Sequence, residues 1–456
     1  INNTNKALNA TFPIPNAVGT GDLMVNLEAG VYFRVDIENF SLDLFGQTLS
    51  GNFSFEQVSS PGADGDFNTT DDEKTLKLAI SDLSLFLGDN GGTAGFENNS
   101  DDIGLWITGG TAQLLITPRG LAGEFSASAM VYIERGKGVE VERVTVRINN
   151  TLDVADESFR IGDVETRLNL PAGPYISVKV EGLEIELGGQ LIAADFTFIR
   201  ETDLGTDNLV GGTGAAADVS VTRIMLENVV VSLSANGQEF VRAESPVDPS
   251  DPSKTIPSTL EIISGPNGGI VGLITVTVTV TIPGVSVGGA FSGGFNSLTT
   301  AGATPSAPRV GISYDLDVDG IPSTPAVTIV AGLTVSGTGV FLEVLGQRLT
   351  GNFVFQKSAM GEIVIALKDV ALELGDGDEV FVTATVQSGV ILITQTGIAA
   401  DLLVGISLSP TLSQDIQFLA NDIFLKINTT NARVMRTVEV GGAGSVTIDV
   451  QKGPFF

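Results

Sequence analysis

The loop Asp64-Gly-Asp66-Phe-Asn68-Thr-Thr-Asp71-Asp72-Glu73 sets oxygen-bearing side chains at alternate positions and follows them with further acids. A calcium ion needs six to eight hard oxygens on a flexible loop. Asp64, Asp66, Asn68, Asp71 and Asp72 are therefore candidate calcium ligands. A second stretch, Asp315-Leu-Asp317-Val-Asp319-Gly320, matches the first half of an EF-hand loop. Its twelfth position is Ala326 instead of Glu, and no helical pattern flanks it. The turn Leu374-Gly-Asp376-Gly-Asp378-Glu379 adds Asp376 and Asp378. The competing reading of all three is a solvated acidic surface. If 315–320 is a strand, its acids line the wet face.

Other chemistries are poorly supplied. The chain has no His and no Cys, which removes Ser-His and Cys-His catalysis, histidine and thiolate metal sites, and disulfides. Its formal charge is −30, from 54 acidic and 24 basic residues, so nucleic acid and anionic membranes are poor partners. Paired carboxylates could serve a glycosidase. However, Trp106 is the one tryptophan, only four tyrosines join it, and the acids fall in loops throughout the chain. There is no P-loop and no dinucleotide fingerprint; Gly211-Gly-Thr-Gly214 reads as a flexible turn. We expect no enzyme, no catalytic or cofactor-binding residues, and calcium as the one cofactor to consider.

The elements that must carry these loops are strands. Gly, Thr and Val are abundant, and the chain alternates apolar and polar residues in runs broken by Gly, Asn or Asp. Val178-Lys-Val-Glu-Gly-Leu-Glu-Ile-Glu-Leu-Gly-Gly-Gln190 reads as strand, turn, strand, turn. The uncharged stretch 262–308 alternates at period two through 271–283, with Thr at every second place near its centre, so we expect a strand and not a membrane span.

The chain repeats itself. FGQTLSGNFSFEQ (45–57) returns as LGQRLTGNFVFQK (345–357) and, more loosely, as ELGGQLIAADFTF (186–198). Each is followed by a second motif: LKLAISDLSLFLGD (76–89), TRIMLENVVVSLSAN (222–236) and IVIALKDVALELGD (363–376). Ile1-Asn-Asn-Thr4 recurs as Ile148-Asn-Asn-Thr151 and Ile427-Asn-Thr-Thr430, with a degenerate Phe295-Asn-Ser-Leu-Thr299 between. The landmarks divide the chain into modules at 1–147, 148–294 and 295–426, with 427–456 starting a fourth or supplying an inter-subunit strand. The expected fold is all-β: tandem antiparallel β-sandwich-like modules arranged end to end. Phe53, Phe55 and their counterparts Phe196, Phe198, Phe353 and Phe355 are expected to point into the core.

This pattern, a Val-rich lead strand followed by LxVxGQxLxGxFxF and LxLxxVxLxLGDG, resembles tandem β-repeat modules of very large bacterial extracellular and cell-surface proteins of the filament, matrix or adhesin kind. The resemblance spans essentially the whole chain and implies an extracellular, structural role. Partners would be copies of itself, as a homopolymer, or further modules of the same long chain. The expected function is a structural repeat segment assembling through module interfaces and β-edge pairing. The alternative is a calcium-stiffened stalk of a cell-surface adhesin. A polysaccharide-active protein or a virion fibre is a third reading.

Overall fold

In the computed structural model every regular element among the described residues is a β-strand. The structure describes the chain except for residues 5, 13–21, 28, 45–46, 68, 90–102, 135–136, 163, 188–189, 204–217, 236–237, 249–250, 265–268, 283–284, 298–308, 313–326, 330–331, 345–346, 358–360, 376–378, 409–418, 441–443 and 455–456. The chain forms two compact units, residues 1–185 with 196–220, and residues 186–195 with 221–456.

In the first unit, strands Gly30–Leu44, Gln47–Ser60, Glu73–Asp89, Ile103–Thr117, Gly120–Glu134 and Lys137–Asn149 each pair antiparallel with the next. Lys137–Asn149 then pairs with Tyr175–Leu187. Asn2–Thr4 lies against the start of Gly30–Leu44. A short hairpin, Ala155–Ile161 with Val164–Leu170, leaves the sheet and packs back on it, chiefly against Glu73–Asp89. It buries Phe159, Leu168 and Leu170 almost completely.

The second unit repeats this plan. From Val221 onward its first strand pairs with both Gln238–Glu244 and Ser258–Ile263, which share one strand position and both pair with Gly269–Ile282. Strands Val285–Asn296, Gly332–Val344, Gln347–Lys357, Ile363–Gly375, Val380–Thr394, Gly397–Leu408 and Leu419–Asn428 follow in antiparallel sequence. The hairpin Val434–Glu439 with Ser445–Val450 sits on this sheet. Val438, Val440 and Ile448 of the hairpin close over Val364, Ala366 and Val390 of the sheet, forming one apolar core. The uncharged alternating stretch is the strand Gly269–Ile282. No helix among the described residues is long and apolar enough to cross a membrane.

Two expectations are corrected. Gly182 is not a turn: it lies inside the single strand Tyr175–Leu187 with φ of 61°. Asn39, Asp82, Asn228, Gly339 and Asp369 adopt similar angles inside other long strands. At Asn39, Asp82, Gly339 and Asp369 the ladder shifts register in a bulge and resumes beyond it, whereas at Gly182 the register with Lys137–Asn149 is the same on both sides. The phenylalanines also face the other way. Ser54, Thr197 and Val354, the residues between each Phe pair, are the buried ones, at 3%, 5% and 2% exposure. Phe55 is 39% exposed. The phenylalanines stack edge-on across strands instead, Phe33 with Phe55 and Phe40 with Phe53, at centroid distances of 6.2 and 5.5 Å. On the covered face Ala79 and Ala366 stand opposite Ser54 and Val354, at 2% and 0% exposure.

Candidate functional site

The sheet can be read as rows of directly opposed residues. One row in the first unit runs Arg34, Glu56, Lys77, Leu115, Ala122, Asn149. Its counterpart in the second unit runs Thr334, Gln356, Val364, Leu392, Ala399, Asn428. Two residues along, Glu124 pairs with Arg147 at 2.7 Å in one unit and Asp401 with Lys426 at 2.9 Å in the other.

Each row ends on a clasp built from the Ile-Asn-x-Thr landmark. Asn149 donates to the carbonyls of Asp153 and Pro171 and accepts from the Thr151 amide and hydroxyl. Asn428 does the same with Ala432, Gln451 and Thr430. Asn2 repeats most of it with Lys6 and Thr4. The residue after the Asn extends the device. The side-chain oxygens of Asn150, Ser297 and Thr429 accept from the amides of Leu121, Ile270 and Ile398. The degenerate Phe295-Asn-Ser landmark thus keeps this chemistry. The clasp turns the chain out of the sheet into the hairpin and, in both complete copies, meets a cis Gly-Pro bond at Gly173-Pro174 and Gly453-Pro454 on the way back.

The rows differ at three adjacent positions. Where the second unit has Thr334, Gln356 and Val364, the first has Arg34, Glu56 and Lys77. Here the hairpin, besides burying Phe159, Leu168 and Leu170, borders an open polar cleft of about 540 Å³. The Arg34 guanidinium contacts Asp36 at 2.9 Å and donates to the carbonyls of Arg160 and Gly162. The Lys77 ammonium donates to Glu157 Oε2 at 2.8 Å and to the Ser158 carbonyl, and lies 5.8 Å from the centre of the Phe159 ring. Arg160 faces Glu165 at 3.5 Å. Tyr32, 5% exposed, stands at the base. Burial pushes its phenol above the ordinary value and the Glu56 carboxylate adds to that, while Arg34 opposes it. In the middle copy Arg223 lies 3.6 Å from Glu261, a carboxylate on the neighbouring strand.

The acidic loop supplies Phe67 to the cleft wall. Asp64 Oδ1 accepts the Asp66 amide, and the Thr69 hydroxyl lies within hydrogen-bonding distance of both Asp71 and Asp72. The Thr69 bond holds the Asp71 carboxyl below the usual range. No group of three or more acidic side chains able to hold a metal ion occurs among the described residues. Asn68, Asp315, Asp317, Asp319, Asp376 and Asp378 lie outside the described residues. Sequence reasoning passed over Arg34, Glu56 and Lys77. The signal was present in the aligned repeats, as Glu56 against Gln356 and Lys77 against Val364.

No protein-family model, curated protein or solved structure matches the chain.

Proposed function

We propose that this chain is a structural segment of an extracellular filament or matrix protein. On this reading it consists of tandem β-sandwich-like modules that assemble with copies of themselves through module interfaces and β-edge pairing. The observation that carries the reading is the recurrence, strand for strand, of one row and one clasp in both units. A unit that rebuilds the same scaffold serves length and spacing more readily than a single reaction.

An edge suited to pairing also supports it. Lys137–Asn149 pairs on both sides, with Gly120–Glu134 and Tyr175–Leu187. Leu419–Asn428 occupies the same place in the second unit and, among the described pairings, has a partner on one side. It carries Ile423, Phe424 and Leu425 at 41%, 64% and 45% exposure. Exposed apolar edges recruit further strands.

Electron microscopy of the purified chain, with calcium and then with chelator, tests the proposal. Long regular filaments that Phe424→Lys shortens or abolishes are the expected result. Dispersed particles of one chain each under every condition would overturn assembly as the function.

A further inference from the structure

We propose that the cleft beneath the Ala155–Leu170 hairpin binds a neutral polyhydroxylated ligand, a saccharide unit of a surrounding glycan. The second unit is the internal comparison. There Val364 is 2% exposed beneath the hairpin core, on the same strand framework. Well-packed hydrophobic residues hold such a contact at least as well as ion pairs do. The Arg34, Glu56 and Lys77 row is therefore not required for docking the hairpin. It opens a cleft in the size range of small-molecule sites, with walls that are polar instead of apolar.

Charge selects the ligand class. Arg34 already faces Asp36, Lys77 faces Glu157, and Arg160 faces Glu165. An anionic ligand would have to displace a carboxylate from one of these cations. A cationic ligand would meet Glu56 flanked by Arg34 and Lys77 on the neighbouring strands. Hydroxyl groups face neither obstacle, because each both donates and accepts. They can bridge the spare acceptor capacity of Glu56 and Glu165 to the remaining N–H groups of Arg160. Phe67 adds aromatic surface for the C–H face of a sugar ring.

The test is calorimetry and ligand-observed NMR on the whole chain, with maltose, cellobiose and diacetylchitobiose as probes at millimolar concentration. Saturable binding of at least one disaccharide is expected. The triple variant Arg34→Thr, Glu56→Gln, Lys77→Val, which installs the residues of the second unit, should weaken it at least about tenfold. Hydrogen exchange should show the hairpin still protected. Arg160→Ala, at the exposed rim of the cleft, should weaken binding without unfolding the unit if the triple variant does not fold. Three results would overturn the proposal: no saturable binding of any probe, equal binding by the folded variants, or preferential uptake of sulfate or glucuronate.

Discussion

Asn149 shows how much one side chain decides. It is fully buried and satisfies four hydrogen bonds that hold the hairpin to the sheet. Asn149→Ala strands the carbonyls of Asp153 and Pro171 and the Thr151 donors, and we expect a loss of about 2–4 kcal/mol. Urea unfolding would measure it, and faster amide exchange confined to residues 155–170 would mark the clasp as the cause. The apolar residues make the second case. Ile448 is 0% exposed, so Ile448→Ala should cost about 2–5 kcal/mol. Phe355→Ala, on the half-buried opposite face, should cost clearly less despite removing a larger side chain. Parallel urea midpoints that ranked the two variants in reverse would return the phenylalanines to the core.

The long strands depend on their bulges. Asn52 of the GNF motif accepts the amide of left-handed Asn39 and donates to Asp82, another left-handed residue. Asn352 caps left-handed Gly339 in the same way. The glycine before it is needed because a Cβ at Gly51 or Gly351 would meet the facing backbone at about 3 Å. The divergent second copy, Ala193-Ala194-Asp195, keeps the bond and exchanges its ends: Asn228 donates to Asp195. Asn52→Asp alone should therefore destabilise by about 1 kcal/mol, from two facing carboxylates, and Asp82→Asn added to it should recover most of that loss. A double variant no more stable than Asn52→Asp would show that the exchange is coincidental. The recurring GNF and its degenerate form thus describe a bulge lock and not a ligand motif.

For the molecule as a whole the charge of −30 matters most. Ion pairs such as Arg119 with Asp153 and Arg433 with Asp449 use part of the small basic complement, and the surplus carboxylates repel one another. Salt screens that repulsion. The thermal midpoint should rise between low and half-molar sodium chloride, by a few degrees at about 1 kcal/mol of relief. A midpoint that falls with salt would mean that attractive pairs outweigh the surplus. The same screening should favour lateral association, which makes low-salt and high-salt electron micrographs a direct comparison for the proposed assembly.

Residue order by itself determined the all-β class and the repeated motifs. Period-two alternation, Thr and Val content and recurring turn residues are local properties, and strands form where they occur. The Ile-Asn-x-Thr landmark was legible because one hydrogen-bonding device demands the same residue types each time. Only the tertiary structure decided which face of each strand is covered. Alternation marks two faces without naming the inner one, and the fold covers the face that carries Ser54, Val354 and Ala366 and leaves the phenylalanines on the other. Tertiary structure likewise turned the apparent turn at Gly182 into strand, because the ladder with Lys137–Asn149 keeps one register on both sides of it. The polar cleft was hidden for the same reason. Arg34, Glu56 and Lys77 stand more than 20 residues apart along the chain, and only strand register sets them side by side.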